Sequence, residues 1–254
     1  RFWQIARHES LDRSPPVSAR RGSAPTAARL RTVQQYKRNF IEFMVRSDVL
    51  TFGDFTTKSG RQTPFFINTG RYRTGEQLAQ LGEFYATAID ESWPDDVDIL
   101  FGPAYKGIPL VATASIGLAA RGRNIGYLFN RKEAKDHGEG GVLVGALPSD
   151  GDRVLIVEDV TTAGTSIRET APILRAHADV DIVGLIVSAD RQERGTGDLS
   201  ALAQVAKDFS MTTRAIVTLD DIVNHLHNRE VDGAVVLDDG VLERIHAYRE
   251  QFGA

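Results

Sequence analysis

Cysteine is absent from the 254 residues. That excludes disulfide staples, a thiolate nucleophile, and zinc or iron–sulfur centres built on sulfur. It fits a reducing compartment, and a cytoplasmic location is expected. No run of about 18 apolar residues occurs, so no membrane-spanning helix is expected. An excess of positive charge is missing too: 30 Lys and Arg stand against 34 Asp and Glu, for a formal charge of −4. A generally basic, nucleic-acid-binding surface is therefore not expected. The histidines form no metal set, since His225 and His227 sit two apart on an expected helix and point to different faces. No G-x-G-x-x-G follows a strand, and no Gly-Lys-Ser/Thr closes a P-loop. In "GPAYKGIP", Ile108 and Pro109 stand where that Lys and Ser/Thr would be.

What is present suits one large α/β domain. Hydrophobic residues make up 42% and charged residues 25%, enough for a packed core without staples. Residues 1–32 differ from the rest. Arg1, Arg7, Arg13, Arg20, Arg21, Arg29 and Arg31 face only Glu9 and Asp12, and Pro15, Pro16 and Pro25 interrupt any helix. This reads as a basic extension outside the domain at 33–254: a solvated tail, a remnant of cloning, or an organelle-targeting peptide.

From Val33 the pattern changes. Tyr36, Phe40, Phe43 and Met44 predict an amphipathic helix over Val33–Arg46. Alternation over Leu50–Gly70 predicts a β-hairpin with Lys58 at its tip and a Ser59-Gly60 turn. A helix follows at Gly75–Ser92. Strands are then expected at Val97–Phe101, Ile125–Asn130, Arg153–Val157, Val180–Ser188 and Arg214–Leu219. Helices alternate with them near Lys106–Ala120, Ser166–His177, Leu199–Asp208 and Asp221–His227. Strands alternating with helices imply an α/β fold with a doubly wound, mostly parallel sheet, carrying a small N-terminal helix–hairpin hood. Ligands of such a sheet bind beyond the carboxyl ends of its strands.

One segment concentrates the chemistry. In "VLIVEDVTTAGTSIRE" (Val154–Glu169) an apolar strand runs into Glu158 and Asp159 and then a turn of small residues. Carboxylates are acceptors only and suit two vicinal hydroxyls, such as a ribose diol. The turn Val160, Thr161, Thr162, Ala163, Gly164 and Thr165 lets backbone approach a ligand closely. Ser166 with Glu169 reads as a capping box, so a helix N-terminus follows, and this suits a phosphate. The segment reads as acids for a ribose diol followed by a cradle for its phosphate. An ordinary acidic strand-to-helix turn is the alternative.

"VLIVEDVTTAGTS" resembles the phosphoribosyl-diphosphate signature of the type I phosphoribosyltransferases. "FTTKSGRQTPFFINTG" (Phe55–Gly70), "FGPAYKGIPL" (Phe101–Leu110), "FNRKEAKDHGEGG" (Phe129–Gly141) and "ADRQERG" (Ala189–Gly195) resemble the orotate-specific branch of that family. The resemblance spans about Phe40–Leu226, with the five motifs in family order. One departure is Glu158-Asp159, where many members carry Asp-Asp.

The resemblance implies transfer of the 5-phosphoribosyl group from phosphoribosyl diphosphate to orotate, giving orotidine 5′-monophosphate and diphosphate, a step of pyrimidine synthesis. By composition, Arg131, Lys132, Lys135 and His137 fit a solvated charged loop as well as an anion site. The resemblance makes them a mobile lid over diphosphate, shared across a homodimer, with Lys135, His137 and Asp159 as catalytic groups. It also places Lys58, Tyr105 and Lys106 at the diphosphate and implies a strained Ala104–Tyr105 peptide, expected to be cis. Orotate is expected against Phe65, Phe66, Thr162 and Arg191, although hairpin core and pairing with Asp190 or Glu193 are equally simple roles for Phe65, Phe66 and Arg191. Mg²⁺ is expected to be held mainly by substrate oxygens. A transferase for another base would lack the hairpin "KSGRQTPFF", and a non-catalytic phosphoribosyl-diphosphate sensor would lack the lid cations.

Overall fold

Leu155 and Val157 belong to one apolar cluster while Val154 and Ile156 belong to another, and all four are fully buried. Such alternation puts a strand in the middle of a sheet covered on both faces. The computed structural model describes residues 27–57, 60–135, 141–160, 164–195 and 197–254.

The hood comprises helix α1 (Ala27–Arg46) and strands β1 (Leu50–Thr56) and β2 (Gln62–Ile67), which pair with each other as a separate antiparallel sheet. Helix α2 (Gly75–Ser92) leads to strand β3 (Ile99–Gly102), helix α3 (Gly107–Ala120), and strands β4 (Gly126–Lys135) and β5 (Gly141–Gly145). Strand β6 (Arg153–Glu158), helix α4 (Thr165–His177), strand β7 (Asp181–Asp190), helix α5 (Ala201–Phe209) and strand β8 (Thr212–Thr218) follow. The chain continues through helix α6 (Leu219–Leu226), the short strands β9 (Glu230–Val231) and β10 (Ala234–Val235), and helix α7 (Asp239–Phe252).

The main sheet has the order β5-β4-β3-β6-β7-β8, parallel except for β5. Leu81 and Tyr85 of α2 and Leu110 and Val111 of α3 pack in the first cluster, and Ile167 and Leu174 of α4 with Leu202 and Val205 of α5 in the second. The connection from β3 runs one way along the sheet and that from β6 runs the other. The carboxyl ends of β3 and β6 therefore form the switch point where a ligand crevice opens. No described helix is long and apolar enough to cross a membrane.

The predicted strands and helices are present, with four differences. Helix α1 begins at Ala27, ahead of the periodic pattern, because Ala27, Ala28 and Leu30 are good helix formers. The capping box expected at Ser166 and Glu169 does not form. Gly164 is the N-cap, at φ 65°, and has no side chain with which to cap α4. Only glycine fits there, since a Cβ would lie 2.5 Å from Val205 Cγ2. The expected charged loop after Asn130 is instead strand as far as Lys135. The antiparallel register with β5 pairs Asn130 with Leu143 and Lys135 with Gly141 across an irregularity, so the strand is extended past its last large apolar residues by its partner rather than by a pattern of its own. The β9–β10 hairpin and α7 were not anticipated. Their signals were an Asp232-Gly233 turn, with both residues at positive φ, and an Asp238 N-cap that accepts from Val241 N–H at 2.8 Å.

Helices α2 and α3 approach so closely that a Cβ on Gly117 would lie 2.7 Å from the Gly82 carbonyl oxygen. Backbone cannot yield there as a flexible side chain would. Gly117→Ala should destabilise by about 1–3 kcal/mol and lower Tm by roughly 2–4 °C for each kcal/mol lost. Gly75→Ala, which meets nothing within 4 Å, should leave the melting curve unchanged.

Candidate active site

At the switch point a cavity of about 300 Å³ is lined by Pro103–Lys106 on one side and by Glu158–Val160 and Gly164–Ser166 on the other. Two acids reach it because β6 ends there. Asp159 is buried, and its Oδ2 accepts hydrogen bonds from Thr69 Oγ1 and Lys106 Nζ, each at 2.8 Å. Its carbonyl oxygen accepts from Ser188 Oγ at 2.5 Å, and the Glu158 carbonyl accepts from Tyr85 O–H, also at 2.5 Å. Hood, α2, the β3–α3 loop and β7 thus converge on two consecutive residues.

Glu158 has fewer donors. Burial pushes its carboxyl up to about 7, and the charge of Asp159 adds to this, against a hydrogen bond from Ser166 and the charge of Lys106. Ser166, read from sequence as a cap, instead serves Glu158. The start of α4 faces the same cavity, where a phosphate would complement the helix dipole.

The β3–α3 loop carries the expected cis peptide between Ala104 and Tyr105, and Ala104 N–H donates to Asn130 Oδ1 at 2.9 Å. Tyr105 is exposed, and Lys132 Nζ lies 5.4 Å from its ring centroid. The root of the β4–β5 ribbon therefore reaches the loop of its own chain. Arg131 also lies on this root, with Nη1 donating to the Gly141 carbonyl at 3.4 Å. Among the described residues, no group of three His, Asp or Glu side chains is arranged to hold a metal.

A second centre forms where β2, the end of β7 and α7 meet. Arg191 lies with its guanidinium carbon 4.9 Å from the Phe65 ring centroid. Its Nε–H donates to Glu193 Oε1 at 2.8 Å. Nη2 lies 2.6 Å from the same oxygen, yet its buried N–H groups make no hydrogen bond. Phe65 is fully buried and Phe66 is half-buried on the other face of β2, stacked on Phe55 at 5.6 Å. Only the first of the two rings lies beneath Arg191.

The structure thus brings together Tyr105, Lys106, Glu158, Asp159, Val160, Gly164, Thr165 and Ser166 around one cavity. Lys58, His137, Thr161, Thr162 and Ala163, and the Lys135 side chain, lie outside the described residues. Thr69 and Tyr85 were missed by sequence reasoning, because their roles depend on contacts 90 and 73 residues away. Arg61, Glu193 and Tyr248 were missed as a group for the same reason.

Glu158 should dominate acid-side behaviour. The ionised carboxylate accepts from a diol, whereas the protonated form competes as a donor. Affinity for a ribosyl phosphate ligand should fall as pH drops through about 7. Glu158→Gln should bind weakly and show no such inflection. A binding isotherm that stays flat across about pH 6–8 in the unmodified protein would remove Glu158 from the diol site.

Residues 68–203 match the family model described as a phosphoribosyl transferase domain. The orotate phosphoribosyltransferase of Clostridium beijerinckii is 56% identical over 223 residues, covering 87% of this chain and all of that one. That of Cronobacter sakazakii is 48% identical over 222 residues, with the same coverage. A crystal structure of the Francisella tularensis orotate phosphoribosyltransferase, 40% identical, superposes with a TM-score of 0.72 over 85% of this chain and 100% of its own. A match over 222 or 223 of 254 residues takes in the acid pair, the cis-peptide loop and the arginine over β2; the chain belongs to the orotate phosphoribosyltransferases of the type I phosphoribosyltransferase family.

Proposed function

We propose that the protein transfers the 5-phosphoribosyl group of phosphoribosyl diphosphate to orotate, releasing diphosphate and forming orotidine 5′-monophosphate. The observation that carries this reading is the switch-point cavity, which sets two carboxylates beside a helix start. The sugar diol faces Glu158 and Asp159, and its 5-phosphate faces the first turn of α4. Orotate lies against β2, with its carboxylate on the unsatisfied Nη2 of Arg191; Thr162 adds a hydroxyl. A guanidinium is suited to that partner because its planar donors match two carboxylate oxygens.

In the reaction the bond from the anomeric carbon to diphosphate breaks, and the electron pair leaves with diphosphate. The orotate ring nitrogen, its N–H proton given up to solvent, bonds to the same carbon. Positive charge develops on the sugar near the acids, and negative charge on the leaving group near Lys58, Arg131, Lys132, Lys135 and His137. Positioning and fixed charges supply most of the acceleration, and little proton transfer is needed. Mg²⁺ fits as an ion brought by the substrate, because the described residues provide the two acids but no cage and magnesium retains phosphate and water ligands. When bound it neutralises diphosphate charge. A cytoplasmic setting suits the absence of cysteine. The arrangement is completed in a homodimer, each lid ribbon covering its neighbour's site.

The direct test is loss of orotate absorbance in the presence of phosphoribosyl diphosphate and Mg²⁺. Arg191→Ala should raise the orotate KM about ten- to a hundredfold, since a charge-assisted hydrogen bond contributes about 1.5–3 kcal/mol. The KM for phosphoribosyl diphosphate should barely move; equal effects on both would reject the assignment.

Subunit mixing tests the shared lid. Lys135→Ala damages the lid and Asp159→Asn the ribose site. After random exchange about half the dimers are mixed, and each has one undamaged site if lids cross over. Activity should return to about a quarter of wild type. With lids serving their own subunits, every site keeps one lesion and verified heterodimers stay inactive.

A further inference from the structure

Glu193 is the meeting point of three parts of the chain. Its Oε1 accepts from Arg191 Nε and from Tyr248 O–H, at 2.8 and 2.7 Å. Its Oε2 accepts from Arg61 Nη1 at 3.3 Å. The side chains of Arg191 and Glu193 are only 11% and 12% exposed, so their pairing is little screened by solvent. Tyr248 belongs to α7, and its ring meets Phe65 edge-on at 5.9 Å. Arg61 lies over Phe252, also of α7, at 4.3 Å from the ring centroid. The backbone adds to the clamp. Arg194 N–H donates to the Phe252 carbonyl at 2.9 Å, and Ala254 N–H to the Gln192 carbonyl at 3.0 Å.

From this geometry, and resting on the reading of Arg191 as the orotate contact, we infer that Glu193 and Tyr248 are positioning residues that set specificity for a carboxylated pyrimidine. Left alone, a guanidinium on a loop has many rotamers. Here Glu193 takes up Nε–H, Tyr248 fixes the carboxylate from behind, and the Phe65 ring supports the plane from below. Nη2 is thereby left buried with unspent donors, the state that suits an incoming carboxylate. The charges agree: Arg61 and Arg191 with Glu193 sum to one positive charge, matched to one carboxylate. Without Glu193, the buried Arg191 guanidinium would lose its counter-ion while Arg61, 32% exposed, stayed nearby, and Arg191 would be driven off the Phe65 face toward water.

The role belongs to α7, which lies beyond the matched domain at residues 68–203. The helix is therefore part of the substrate machinery as well as of the core, where Ile245 and Tyr248 are buried.

Steady-state kinetics of Glu193→Gln, Tyr248→Phe, Arg191→Ala and the Arg191→Ala/Glu193→Gln double variant test the inference, with uracil as a competitor lacking the carboxylate. Glu193→Gln should raise the orotate KM about tenfold or more, and Tyr248→Phe about fivefold. The KM for phosphoribosyl diphosphate and the uracil inhibition constant should stay within about twofold. The double variant should bind orotate no worse than Arg191→Ala, because Glu193 acts through Arg191. Multiplying effects, or a loss that falls equally on uracil, would show a merely structural role and overturn the inference. So would an unchanged orotate KM in Tyr248→Phe and Glu193→Gln while Arg191→Ala remains impaired. If Arg191→Ala itself spares orotate, the reading of the orotate site fails first. Should Glu193→Gln not fold, Tyr248→Phe, which keeps every charge, decides alone.

Discussion

Burying a carboxylate without partners costs several kcal/mol, and the end of β6 holds two acids in succession. The architecture around them follows from that constraint. Asp159 is accommodated by Thr69 and Lys106, from segments that precede it by 90 and 53 residues. The peptide carbonyls beneath the pair are taken up by Tyr85 and Ser188. A buried phenol such as Tyr85, whose ionisation burial opposes, remains a donor at any working pH. Hood, α2, α3 and β7 are therefore held to one point by polar contacts that only the correct packing can supply. Hydrophobic burial stabilises the sheet, but these contacts specify how its cover is seated.

The hood joins the two halves of the site. Phe65 lies under Arg191, while Thr69, four residues further along, donates to Asp159. Four residues of extended chain span about 13 Å at most, so the contacts to Arg191 and to Asp159 are set by one short segment. Displacing β2 would disturb both together. The C-terminal helix α7 opposes such movement, because Tyr248 and Phe252 engage the ring of Phe65 and the guanidinium of Arg61.

Much of this was legible in the sequence, for identifiable reasons. Short apolar runs and period-3.6 patterns gave the alternating elements, since the central strands present apolar residues to both clusters and each covering helix to one. The acid pair was legible because carboxylates rarely terminate a buried strand by accident. The helix start at Gly164 was misread because Ser166 and Glu169 have the right spacing for a cap. Spacing does not reveal that Ser166 has a better partner in Glu158, nor that Gly164 already supplies the turn. The strand character of Arg131–Lys135 was hidden because the stretch is mostly charged and its pairing to β5, in register only at the Asn130 and Lys135 ends, leaves no alternation to read. Glu193 was visible only as a possible partner of Arg191. That it also accepts from Tyr248 and Arg61, 55 and 132 residues away, is a property of the fold alone.

The cations and acids of the switch-point cavity attract one another, and this shapes how a ligand enters. Lys106 lies against Asp159, but its side chain is 61% exposed while that of Asp159 is 11% exposed. An ion pair with one partner in solvent contributes at most about 1 kcal/mol. The contact is thus strong enough to keep the lysine at the cavity and weak enough to yield to a diphosphate. Lys132, held among the described residues over the exposed ring of Tyr105, is stored on similar terms. The acids sit at the end of a buried strand, where moving them would disrupt the sheet. In the proposed reaction the fold therefore fixes the groups assigned to the sugar and leaves lightly held those assigned to the leaving group, which is where charge changes most as the bond breaks.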